Sequence, residues 1–180
     1  MMGKMRVRRV FAMMALLAAA ATVEAAETLR VTPILHDDRV VVSFELTDAY
    51  TDAIRQAIGS GLRTTFTYEL ELRTVGTAWL DRTIATVVVT TSDLYDNLTR
   101  RHTLSRTVDG RVEEVLVTDD ESEVKTWLMR WSRVPLYQTS KLDPTRDYYI
   151  RVSARMRPLS GSLLGWAKPT VGQAKFTVIP

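Results

Sequence analysis

From Thr65 to Arg73 the chain alternates polar and apolar residues one by one. Phe66, Tyr68, Leu70 and Leu72 fall on one side, and Thr65, Thr67, Glu69, Glu71 and Arg73 on the other. Side chains of a strand point to opposite faces in turn, so this period of two predicts a half-buried strand. Similar runs recur along the chain. LRVTPIL and RVVVSFELT flank the turn residues His36-Asp37-Asp38 and predict a hairpin. TIATVVVTT, Thr83 to Thr91, is dense in β-branched residues, which pack well on a pleated surface. HTLSRTVDGRVEEVLV places Asp109-Gly110 between two alternating runs, and Asp-Gly supplies the positive φ angles of a type I′ turn. DYYIRVSARMR, after Asp143-Pro144, and the closing AKFTVI add two more strands.

Two segments carry helical spacing instead. Leu46, Tyr50, Ala53, Ile54, Ala57 and Ile58 predict a first helix, with Thr47 or Thr51 as its N-cap and Gly59 as a left-handed stop. The glycines that follow are not a phosphate loop. Such a loop runs from strand through glycines to helix and carries a lysine, whereas here the order is helix, glycines, strand. Gly59-Ser60-Gly61 reads as a joint. The second helix opens on Thr118-Asp119-Asp120-Glu121, which has the form of a capping box with Thr118 as the cap. Val124, Trp127, Leu128 and Trp131 then follow as one buried face, and Pro135 limits any continuation. The expected fold is mainly β: an antiparallel β-sandwich, immunoglobulin-like in general architecture, with two short amphipathic helices over an open end or one face. An α+β two-layer arrangement is the alternative.

The first 25 residues depart from this pattern. Lys4, Arg6, Arg8 and Arg9 precede a predominantly apolar run from Val10 to Val23, and small residues at Val23 and Ala25 follow. That is the layout of a secretory signal peptide cleaved after Ala25 or Ala26. The apolar run is shorter than the ~20 residues a membrane-spanning helix needs. The expected organisation is a signal peptide at 1–25 and one β-rich exported domain at 26–180, residing in the periplasm or outer envelope. Arg8-Arg9 leaves general secretory and twin-arginine export both open.

Cleavage changes the charge. It removes four of the 24 basic and one of the 21 acidic side chains, leaving twenty of each. Nucleic acid needs clustered positive charge on the domain itself, so it is not an expected partner. The chain has no cysteine, which excludes disulfides, thiol chemistry and lipid attachment to a cysteine.

Candidate chemistry is sparse. Asp119, Asp120, Glu121 and Glu123 lack the pattern of a calcium loop and lie where carboxylates favour a helix start. His36 and His102 are too few for a typical zinc site, and no serine lies in a G-x-S-x-G elbow. No catalytic, cofactor or metal residues are assigned. Trp127 and Trp131 could form a stacking platform, but their spacing with Val124 and Leu128 favours core packing. Arg151, Arg155 and Arg157 share the outer face of one predicted strand. They form a candidate interaction face for an acidic partner or anionic lipid, unless they ladder with carboxylates such as Glu69 and Glu71.

The blocks IGSGLRTTFTYELEL, WLDR, DLYDNLTRRHTLSR and DYYIRVSARMRPL, spread over about Val41 to Leu159, resemble a family of exported bacterial proteins catalogued as domain of unknown function 4390. Within LYDNLTRRHTL, His102 stands where that resemblance leads one to expect an aromatic residue, usually tyrosine. The resemblance implies an exported, mostly β domain of the bacterial envelope and supplies no catalytic residues. The functional expectation is a non-catalytic module that binds another envelope component. A peripheral membrane protein holding anionic lipid through its arginines is second. An enzyme is third, and requires a polar pocket that brings His36 or His102 beside a carboxylate.

Overall fold

A computed structural model describes residues 28–76, 81–158 and 169–178. Strands β1 (Thr28–His36), β2 (Arg39–Thr47) and β7 (Arg130–Gln138) form a three-stranded sheet in the order β1-β2-β7. Strands β3 (Thr64–Thr74), β4 (Arg82–Asp96), β5 (Arg101–Val108), β6 (Arg111–Thr118), β8 (Tyr148–Pro158) and β9 (Thr170–Phe176) form a six-stranded one in the order β6-β5-β4-β3-β8-β9. All pairings are antiparallel. Helix α1 (Asp52–Gly59) links β2 to β3, and α2 (Glu121–Met129) links β6 to β7. The chain is thus a mainly β, sandwich-like fold with two helices, as its alternation predicts.

The core lies between the sheets. Phe66, Tyr68, Leu70 and Leu72 of β3 are all buried, with Ile150, Val152 and Ala154 of β8 beside them. They face Val40, Val42, Phe44 and Leu46 of β2. Phe44 and Tyr68 meet across the layers at 4.8 Å between ring centroids. At one corner the sheets touch backbone to backbone: a Cβ on Gly172 of β9 would lie 2.2 Å from the carbonyl oxygen of Leu29 in β1. Only glycine fits there.

Several local expectations need correction. The Asp109-Gly110 turn adopts the predicted positive φ, and the predicted turn at Asp37-Asp38 proves to have positive φ as well. The left-handed residue after α1 is Gly61, at φ 80°, and not Gly59, which stays within the helix. Thr51 rather than Thr47 caps that helix, accepting the N–H of Ile54. Leu46 belongs to β2. The cap of α2 is Asp120, whose carboxylate accepts the N–H of Ser122, while Thr118 is still paired with His102 across the β5–β6 ladder. Trp131 does not continue the helix. It lies in β7, opposite Phe44, because the chain turns extended at Arg130 to close the smaller sheet.

Candidate functional site

The β4–β5 hairpin builds the site. Its turn is fixed by Asp96, whose carboxylate accepts the N–H groups of Leu98 and Thr99 and is thereby held below the usual carboxylate range. From that turn the register places Tyr95 opposite His102 and Asp93 opposite Leu104. Leu104 is buried in the core, so Asp93 and His102 also face inward. They meet there: Nδ1 of His102 lies 2.9 Å from Oδ2 of Asp93. Asp93 is fully enclosed, and its other oxygen has no hydrogen-bond partner among the described residues. Burial pushes the Asp93 carboxyl above its ordinary range, with the hydrogen bond and charge of His102 acting against that push. The His102 ring also packs on Tyr95, with centroids 4.6 Å apart.

Above this pair opens a cavity of about 540 Å³, framed by α1, the β4–β5 turn and the start of α2. Tyr50 and Arg55 line it from the α1 side, Asn97 and Arg100 from the turn, and Asp119 and Glu121 from the α2 side. Burial, then the carboxylates of Glu121 and Asp93, push the Tyr50 phenol up to about 12, so it stays a hydrogen-bond donor. Arg55 is ion-paired with Asp52. The pocket beside a histidine and a carboxylate, which an enzyme would require, is therefore present. A hydrolytic triad would also need a nucleophile bonded to His102, and no hydroxyl is so placed among the described residues. No group of three or more His, Asp or Glu side chains there is placed to hold a metal ion.

The arginine face lies elsewhere. Arg151 is 3.5 Å from Glu71 on the neighbouring strand, and Arg155 stands exposed opposite Thr67. Arg157 lies opposite Thr65, its side chain outside the described residues, as is Ala25. Arg106 of β5 turns inward. It fills the space at Trp127 and Trp131, 4.2 and 4.9 Å from their ring centroids, so the tryptophan pair holds a cation of its own chain. His36 stays in its exposed turn beside Asp37.

At the outer edge, β6 pairs with β5 on one side only among the described residues. Val112, Val115 and Val117 are 65%, 57% and 48% exposed, which makes a row of apolar side chains along an edge strand. The outer rows beside it, Thr103, Ser105 and Thr107 of β5, carry no charge.

Among the described residues, no helix is long and apolar enough to cross a membrane. Residues 24–160 match a family model described as Domain of unknown function (DUF4390). No curated protein and no solved structure matches the chain.

Proposed function

The chain belongs to the DUF4390 family, and since that description carries no activity, we propose from the surface itself that this is a non-catalytic interaction module of the bacterial cell envelope. Its partner is another exported protein, which it binds by pairing β6 with an extended segment. The exposed valine row on the unpaired side of β6 carries this reading. A free strand edge presents a ladder of N–H and C=O groups that an added strand satisfies, and alternate side chains supply the selectivity. The segment that fits has apolar residues at every second position, to lie beside Val115 and Val117.

The anionic-lipid reading has less support. Arg151 is countered by Glu71, so the β8 face is partly a cross-strand ladder of opposite charges.

In-cell photo-crosslinking tests the proposal, with probes at Val115 and Val117 compared against a probe at the exposed Arg155. One recurrent protein adduct at β6, lost when the other valine of the pair is changed to aspartate, supports strand pairing. Lipid adducts confined to Arg155 would favour the membrane reading instead. A folded, exported protein that gives no adduct at β6 overturns it.

A further inference from the structure

The cavity above His102 shares no lining residue with the valine row of β6, and its chemistry follows from the pair beneath it. A bare Asp93 carboxylate would be an enclosed negative charge with one oxygen unpartnered, which is a costly state. One more proton on the pair would relieve that cost. That proton sits either on the carboxyl group or on Nδ1, and the two arrangements belong to the pair rather than to either residue. In both, Nε2 of His102 carries a hydrogen. Nε2 has no protein partner among the described residues and is not one of the enclosed atoms, so its N–H faces the cavity.

Other donors converge on the same space. Arg100 comes from the β4–β5 turn, where its own backbone is left-handed at φ 56° and is held by its N–H to the carbonyl of Asp96. Asn97 is braced against the glycine joint, its Nδ2 lying 3.0 Å from where a Cβ on Gly61 would be. The Tyr50 phenol adds an O–H. Acceptors are supplied by Asp119 and Glu121 at the α2 side, while Arg55 is shared with Asp52. The balance favours one anionic group on the turn side and disfavours a polyanion.

We infer that this cavity binds a small molecule carrying a single carboxylate or phosphate group, held by Nε2–H of His102 and the guanidinium of Arg100. Planar guanidinium donors match either group. The cavity, at about 540 Å³, has the size of a site for a metabolite-sized ligand. The inference does not depend on strand pairing at β6, and either can fail without the other.

The test is a titration of the purified chain, uniformly labelled with ¹⁵N, with acetate in one arm and inorganic phosphate in the other. The expected result is a saturable shift of the His102 ring Nε2 signal, at lower concentration for the group the site prefers. Arg100→Gly suits the left-handed backbone and should weaken binding roughly tenfold or more, the loss of one good charged contact. His102→Phe keeps the stack on Tyr95 and should abolish the accompanying amide shifts of Asn97 and Arg100. Failure of either anion to move the His102 signal saturably overturns the inference. So do amide shifts that persist unchanged in both variants, since the ion would then be adventitious.

Discussion

The guanidinium of Arg106 lies 4.2 Å from the ring of Trp127 and donates to the carbonyl of that same residue at 3.1 Å. One side chain of β5 thus grips both the face of a tryptophan and the end of the helix that carries it. A second bond reaches the carbonyl of Arg130 at 2.7 Å, and the buried hydroxyl of Tyr68 donates to Leu128 at 2.7 Å. The last carbonyls of a helix have no partners within it. Here the facing sheet provides them.

Removing that grip should be costly. Arg106→Ala is expected to destabilise the fold by about 3 kcal/mol, from lost cation–π contact and charged hydrogen bonds together. Arg106→Lys keeps the charge without the planar fork and should recover only part of it. Urea unfolding checks this through a lower midpoint at unchanged slope. The exposed Glu114 beside Arg106 should matter little, so Glu114→Gln serves as the control.

Asp93 makes a prediction in pH. Its folded pKa is raised, so between the ordinary carboxylate range and that higher value the native state binds more protons than the unfolded one. Stability attributable to this group is full at low pH and falls as pH rises through the interval. Asp93→Asn removes the titration. Stability measured at a series of pH values should decline less steeply toward neutrality in the variant; an unchanged slope would show that Asp93 does not titrate abnormally.

The two glycines flanking Ser60 should respond in opposite directions. Gly61→Ala forces a side chain into φ 80° and against Asn97, and should cost about 1–2 kcal/mol. Gly59 is helical with open space where a Cβ would go, so Gly59→Ala should stabilise by roughly 0.5–1 kcal/mol. Thermal denaturation of both variants is enough to tell.

On β6, Val115→Asp alters an exposed position and should leave stability within about 0.5 kcal/mol. The same change should abolish any β6 crosslink, so fold and binding are separable in one variant.

The expected cleavage after Ala25 or Ala26 is open to a direct test. N-terminal sequencing of the exported protein should begin at Ala26 or Glu27. A chain starting at Met1 would mean a retained N-terminal segment.

Much of the fold was legible because it rests on local alternation. β3 buries every second residue, and Asp109-Gly110 admits few conformations besides a tight turn. What escaped depends on where elements stop. Thr118 and Asp120 both have capping side chains, and which one caps is decided by β6 pairing as far as Thr118. Trp131 continues a helical spacing by coincidence, and only its pairing with β2 makes it a strand residue. The Asp93–His102 pair did leave a trace. Counting back from the Asp96–Arg101 turn puts an aspartate and a histidine on the core face of one hairpin, where apolar residues would be expected. Val115 and Val117 were visible as alternation, but Val112 joins their row only through the irregularity in the β5–β6 register, and the exposure of all three depends on β6 being the last strand of its sheet.

The contact between Leu29 and Gly172 also has a kinetic side. It joins the first described strand to the last, so making it closes nearly the whole chain into one loop. The entropy of such closure grows slowly with length, yet contacts this distant in sequence slow folding. Until β9 forms, the β1–β2 hairpin lacks the surface that covers Leu29, and the smaller sheet stays open at that corner. At that corner, closure of the sandwich requires the C-terminal strand.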